Sequence, residues 1–124
     1  MPYRMTRKNF EGLARKALAE LPAEFREMMR NVAVVVEDYP SREEAGSVGV
    51  PRDELMGLFE GASHGEQDMF FELPPLPDRI VLYQRNIEAV CSSQEELVEE
   101  IRLTLLHEVG HYFGLSEEDL EEYE

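Results

Sequence analysis

The sequence predicts an α+β fold in which a small mixed β-sheet of three to four strands packs on helices. Two apolar runs, at 32–36 and 79–84, have the length and composition of strands, and a helical repeat extends from 93 to 114. The chain has 124 residues, 43% of them hydrophobic, so we expect a single domain over residues 1–124.

Two helices are expected at the start of the chain. Thr6 is a candidate N-cap for a first helix whose apolar residues continue at helical spacing to Leu21. Pro22 suits the first position of a second, short helix. The continuous β-branched run at 32–36 predicts a strand that is buried on both faces. Residues 37–50 are polar and are expected to form a loop.

The middle of the chain contains three further candidate strands. Residues 55–59 form a weaker one, because Gly57 interrupts the apolar run. Residues 69–73 could form a short edge strand, which the prolines after it would end abruptly. Residues 79–84 have the strongest strand pattern of the three.

The last part of the chain predicts one long helix. Ser93 and Glu96 have the spacing of a capping box, and apolar residues then repeat every four positions. Gly114 is a natural C-cap, because the chain leaves a helix most easily through a glycine with positive φ. The helix would be about 20 residues long. The acidic segment 116–124 is expected to be a final turn or short helix.

The long helix ends in the motif HExxHxxG, formed by His107, Glu108, His111 and Gly114. Residues four apart lie on the same face of a helix, so the imidazoles of His107 and His111 can bind one metal ion together. The carboxylate of Glu108 can then reach a water molecule on that metal. This is the arrangement of a zinc hydrolase, in which the glutamate accepts the proton of the water.

Two histidines are too few ligands, because a catalytic zinc usually has three protein ligands and one position for water. Glu117 lies three residues beyond the glycine and is the favoured third ligand. Asp119 is the next candidate, and Glu118, His64 or a second water molecule remain open.

The sequence also resembles a known family. HExxHxxG followed by an acidic residue resembles the metzincin side of the zincin metallopeptidases. The whole chain is similar to the small bacterial zincin-like metallopeptidases, with matching stretches at 55–61, 76–83 and 95–120. The resemblance implies a minimal zincin-like α+β fold with a metal held by His, His and Asp. Glu117 replaces that Asp here, and no methionine follows Gly114 as it does in metzincins.

The motif and the resemblance together predict a Zn²⁺-dependent metallopeptidase. His107, His111 and Glu117 would bind the metal, and Glu108 would be the general base that activates a metal-bound water. The expected partner is a peptide or protein substrate. The alternatives are a non-catalytic zincin-like metal-binding or interaction module, and a structural zinc that fixes the acidic tail to the long helix.

Other groups near the reaction have less support from the sequence. Tyr112, Tyr123 and His64 are candidate donors to the oxyanion, although packing or loop roles are more common for such residues. Residues 69–73 are the candidate edge strand for an extended peptide.

Composition narrows the functional class. The formal net charge of −15 disfavours binding to nucleic acid or to an anionic membrane surface. Cys91 is the only cysteine, and no apolar run is long enough for a membrane span, so a cytoplasmic location is expected. Cys91 is not expected to be a nucleophile, because no histidine lies near it in the sequence. The sequence does not indicate an oligomeric state.

Overall fold

The computed structural model describes residues 3–60 and 78–124. In these ranges the order of elements is α1 (Arg7–Ala19), α2 (Ala23–Met28), β1 (Val32–Glu37), α3 (Arg42–Val48), β2 (Gly57–Glu60), β3 (Asp78–Tyr83), α4 (Gln84–Ala89), α5 (Gln94–Tyr112) and α6 (Glu117–Glu121). The predicted α+β class is confirmed.

The described strands form one mixed sheet in the order β1-β3-β2. β1 runs parallel to β3, with Val34 opposite Ile80, and β2 runs antiparallel to β3, with Phe59 opposite Ile80. The sheet therefore has three strands in the described part of the chain, within the predicted range. The expected edge strand at 69–73 lies outside the described residues.

The central strand of this sheet is β3, whose residues from Ile80 to Tyr83 are fully buried. The prediction that the run at 32–36 is buried on both faces was wrong. In the described part of the chain β1 pairs with β3 alone, and of its own residues only Val36 is buried. The β-branched residues of β1 therefore reflect the preference of such residues for strands whose side chains are partly exposed, and they do not indicate a strand in the centre of the sheet.

The main core lies between the sheet and helices α1 and α5. Its fully buried side chains come from α1, α2, α4, α5, α6 and β3, and include Phe10, Phe25, Ile80, Leu82, Ile87, Leu97, Ile101, Leu105, Leu106 and Leu120. The apolar positions of α5 that repeat every four residues all lie in this core. This packing fixes the rotation of α5 and therefore the direction in which its other face points.

Two helices were not predicted. Residues 42–48, inside the expected loop, form α3, and Ser41 and Glu44 make a complete capping box at its start. The expected strand at 79–84 ends one residue early, because Gln84 begins the short helix α4.

Buried polar side chains explain why the chain turns into α4. The carboxylate of Glu88 is 1% exposed and accepts hydrogen bonds from the Met5 N–H, Gln84 and Arg85. The side-chain amide of Asn86 donates to two carbonyl groups of the segment before β2. α4 therefore fixes both the N-terminal segment and the approach to β2, and the polar groups that it buries in doing so all need partners.

None of the helices in residues 3–60 and 78–124 is both long and apolar enough to cross a lipid bilayer.

Candidate functional site

The predicted motif lies on the last turns of α5, which covers 19 residues. Ser93 is the N-cap, as predicted, and its hydroxyl accepts a hydrogen bond from the Glu96 N–H at 3.1 Å. In the second bond of the predicted capping box, the carboxylate of Glu96 accepts from the Ser92 N–H instead of the Ser93 N–H. The buried residues of α5 occupy its other face, so the histidines are not core residues.

The imidazoles of His107 and His111 lie side by side, as the spacing predicts. Their ring centroids are 6.0 Å apart and the ring planes differ by 27°. The side chains are 35% and 47% exposed, so both rings can be reached from solvent.

Glu108 is placed between the histidine pair and the sheet. Its Oε1 accepts a hydrogen bond from the backbone N–H of Phe59 in β2, at 3.1 Å. Burial raises the pKa of the Glu108 carboxyl above its usual range, while this N–H and the two histidines act in the opposite direction. A carboxylate with a raised pKa is a stronger base than an exposed glutamate, which suits a general base.

The register of β2 explains how Phe59 can donate to Glu108. The Tyr83 N–H donates to the Met56 carbonyl at 2.9 Å, so these two residues form a hydrogen-bonded pair. Hydrogen-bonded and non-hydrogen-bonded pairs alternate along an antiparallel ladder, so Phe59 and Ile80 form a non-hydrogen-bonded pair. The N–H of Phe59 therefore points away from β3. The Phe59 ring also stacks on the Tyr112 ring, with centroids 4.0 Å apart, so two contacts join β2 to the end of α5.

A glycine allows β2 to approach α5 this closely. A Cβ atom added at Gly57 would lie 2.7 Å from Cγ2 of Thr104 and 3.1 Å from the Val81 carbonyl oxygen. The Thr104 rotamer is fixed, because its hydroxyl donates to the Glu100 carbonyl at 2.8 Å. The glycine that weakened the strand prediction is therefore the residue that brings β2 to the site.

We expect Gly57→Ala to destabilise the protein by about 1–3 kcal/mol, because the new methyl group overlaps the Thr104 methyl. Urea unfolding followed by circular dichroism measures this change. Thr104→Ser removes the opposing methyl and keeps the hydroxyl, so we expect it to recover part of the loss when the two substitutions are combined. Equal losses with and without Thr104→Ser would show that this contact does not determine the distance between β2 and α5.

The chain reverses direction directly after the motif. α5 ends at Tyr112, and Gly114 follows with a φ of 86°, one residue beyond the cap. The Gly114 N–H donates to the His111 carbonyl and the Leu115 N–H to the Gly110 carbonyl, which is the pair of bonds in a Schellman motif. The predicted role of Gly114 at the helix end is confirmed by this geometry.

α6 then packs back on α5 at Gly110. A Cβ atom at Gly110 would overlap Cδ2 of Leu120, and the Leu120 side chain is fully buried. Ser116 and Asp119 form a complete capping box at the start of α6. The glycine within the HExxH motif is therefore required for the close approach of α6, which carries the predicted third ligand.

The C-terminal segment brings one carboxylate to each histidine. Oε1 of Glu117 lies 2.8 Å from Nε2 of His111. Oε1 of Glu124 contacts Nε2 of His107. Glu117, the favoured third ligand, thus lies beside one of the two predicted histidine ligands, whereas Glu124 was not a candidate and no sequence motif singles it out.

The donors lie in two pairs. In the described residues, no group of three or more histidine, cysteine, aspartate or glutamate side chains is gathered closely enough to hold a metal ion. The ligand set His107, His111 and Glu117 therefore stays a prediction. The chemistry of the donors nevertheless fits zinc, which is bound by imidazole nitrogen and carboxylate oxygen in proteins.

The other candidates have different surroundings. The Asp119 carboxylate accepts from the Ser116 N–H, and its pKa is lowered by the contacts with Ser116, so its role in the structure is to cap α6. Glu118 is exposed. The Tyr123 hydroxyl donates to Glu24 at 2.5 Å, and the Tyr112 ring stacks on Phe59.

Two further predictions concern His64 and Cys91. His64 lies outside the described residues. Cys91 is buried, and burial raises the pKa of its thiol to about 11, so little thiolate forms near neutral pH. This agrees with the prediction that Cys91 is not a nucleophile.

Similarity to known proteins extends over most of the chain. A family model described as zincin-like metallopeptidase matches residues 29–124. Among curated proteins, none matches the sequence significantly. A solved structure of a conserved hypothetical protein from Thermus thermophilus is similar, with a TM-score of 0.52 and 24% sequence identity over 87% of this chain and 94% of that chain. At this identity the structural similarity supports the fold alone.

Proposed function

The chain belongs to the zincin-like metallopeptidase family, and we propose that it is a zinc-dependent peptidase in which Glu108 is the general base. The observation that carries the proposal is the position of Glu108. Its carboxylate is anchored to the Phe59 N–H and lies beside a pair of solvent-accessible imidazoles. A half-buried carboxylate with a raised pKa next to paired histidines is typical of a site that moves a proton.

We propose that His107, His111 and Glu117 hold the zinc ion. Their donor atoms are of the types that zinc prefers, and Glu117 already contacts His111. When bound, zinc polarises a carbonyl group and makes water more acidic, which is the chemistry that peptide hydrolysis needs.

The proton transfers of the reaction would be made by a protein side chain, Glu108. Glu108 would accept a proton from the attacking water and then donate it to the leaving amine of the peptide. The hydrogen bond from Phe59 leaves Oε2 of Glu108 for this exchange, because the bond is made to Oε1. Phe59 and Tyr112 would keep the end of α5 against β2 during the reaction.

A non-catalytic metal-binding module is the second candidate. The observation that favours it is the contact of Glu124 with His107, because each imidazole then has its own carboxylate. A zinc site with four protein donors is typical of structural rather than catalytic zinc.

The test is hydrolysis of a diverse peptide library by the whole protein. We expect cleavage with zinc, its loss after chelation and its return when zinc is added again. Zinc binding without cleavage across the library would favour the non-catalytic module, and absence of zinc binding would contradict both candidates.

A further inference from the structure

The outer side of β1 has backbone groups that could pair with another strand. Among the described strands β1 lies at one edge of the sheet. On its outer side the Val32 N–H donates to the Met29 carbonyl at 3.0 Å. The Val36 carbonyl accepts from Arg7 at 2.9 Å. Alternate residues of a strand direct their backbone groups to the same side, so the N–H and C=O of Val34 also point outward. No group in the described residues bonds to them there.

The sequence of β1 does not protect this edge. Its six residues read VAVVVE, so five apolar residues come before the charge of Glu37, and the strand contains no proline. Edge strands usually carry charges, prolines or bulges that prevent another strand from pairing with them. Ala33 is exposed and Val34 is half-buried. β1 therefore has the composition of a strand that could accept a further strand.

A groove of about 230 Å³, called here the edge groove, lies between β1 and α1. It is lined by Glu11, Ala14, Arg15, Leu18, Val34 and Val36. Sites for small molecules usually measure about 300–1,000 Å³, so the edge groove is small for a whole ligand. Its size suits the side chains of an extended segment that lies along β1.

Arginine side chains continue the surface of the edge groove beyond Leu18. A more open depression there is lined by Arg15, Leu18, Ala19, Arg26, Met29 and Arg30. Arg30 pairs with Glu27, whereas Arg15 and Arg26 form no ion pair within the described part of the chain. Both side chains are exposed. Two cations next to an apolar surface are therefore available to carboxylates of a partner.

The charge of this end of the molecule is opposite to that of the whole chain. Residues 1–30 contain seven of the twelve Lys and Arg but only four of the 27 Asp and Glu. The formal net charge of the chain is −15. A second copy paired symmetrically through β1 would bring the same arginines of both copies together, which like-charge repulsion disfavours. An acidic partner is favoured instead.

We propose that the edge of β1 binds an extended segment of a partner protein that contains both acidic and apolar side chains. The backbone of the segment pairs with Val34, its apolar side chains enter the edge groove, and its carboxylates meet Arg15 and Arg26. β2, which contacts Glu108, lies at the opposite edge of the described sheet. Binding at β1 therefore does not require the proposed zinc site.

The first measurement is binding of the whole protein to an array of six-residue peptides, the length of β1, composed of Val, Leu, Ser and Glu. A matched array has Lys in place of every Glu, and a chelator is present so that zinc-dependent cleavage cannot occur. We expect binding to the Glu array alone, and weaker binding at high salt because the contacts with arginine are screened. Binding to neither array, or equally to both, would overturn the proposal.

The second measurement is the affinity for the Glu peptide that binds best, determined by fluorescence polarisation. We expect Arg15→Gln to lower the affinity about fivefold, because one ion pair with the peptide is lost. Lys16→Gln is the matched control, because Lys16 is the next residue of α1 and lines a different depression, beside Glu20 and Glu99. We expect the control to bind as the unaltered protein does. Equal affinities in the two variants would overturn the proposal.

Val34→Pro tests the pairing of the backbone. Proline removes the outward N–H and is tolerated on an edge strand where that N–H faces away from the sheet. We expect loss of peptide binding with an unchanged circular dichroism spectrum, and a folded variant that binds normally would overturn the proposal. If Val34→Pro does not fold, the comparison of Arg15→Gln with Lys16→Gln decides. A dimer of the unaltered protein in sedimentation that dissociates in Val34→Pro would show that a second copy occupies the edge, which would also overturn the proposal.

Discussion

Glu108→Gln is expected to lower zinc-dependent peptide hydrolysis by about 10²–10⁴-fold, the usual contribution of a general base, while zinc binding is retained. Glutamine has the same shape and can still accept the hydrogen bond from the Phe59 N–H, which the Glu108 carboxylate accepts at 3.1 Å. It cannot accept a proton from water. The measurement is the initial rate on a peptide that the library identifies, with zinc content determined on the same samples.

Glu95→Gln is a suitable control for this experiment. Glu95 is an exposed residue in the first turn of α5, so the substitution changes the charge of the same helix far from the motif. We expect the control to keep both activity and zinc. A Glu108→Gln protein that hydrolyses the peptide at the unaltered rate would show that another group is the base.

Elements with a strong local signal could be predicted from the sequence. The four-residue apolar repeat and the cap at Ser93 predicted α5, and the apolar run at 79–84 predicted most of β3. The same spacing rule placed His107 and His111 side by side. These features depend on residues close together in the chain, so the sequence pattern contains the information.

Features that depend on tertiary contacts were missed. Among the described strands β1 lies at one edge of the sheet, and the apolar run at 32–36 does not encode this strand order. The Phe59 N–H reaches Glu108 because Gly57 lets β2 approach α5. α3 is a different case, because the capping-box spacing of Ser41 and Glu44 is visible in the sequence.

The contact between Glu124 and His107 is the feature that the spacing of neighbouring residues predicts least. It depends on a helix end at Gly114, on a reversal of the chain and on the packing of Leu120 against Gly110. Each step is a short-range rule, but their combination decides which carboxylate in an acidic segment meets a histidine. Sequence spacing alone favoured Glu117 for that reason.

His107→Ala and His111→Ala are each expected to abolish most zinc binding. Each removes one of two imidazole ligands, so the loss should exceed the ~10–100-fold that is typical of losing an outer-shell partner of a ligand. Chelator competition measures the affinity. Thermal unfolding gives a second readout, because a ligand that binds only the folded state raises its stability. We expect zinc to raise the Tm of the unaltered protein and to leave the Tm of both variants unchanged.

Gln94→Ala is the control for these two variants, because Gln94 is an exposed side chain at the opposite end of α5. We expect it to bind zinc normally. If only one histidine variant loses zinc, the two imidazoles do not share an ion, and the metal lies at only one of the two histidine–carboxylate pairs. Loss in both variants is the result expected if the two imidazoles, whose ring centroids are 6.0 Å apart, bind one ion together.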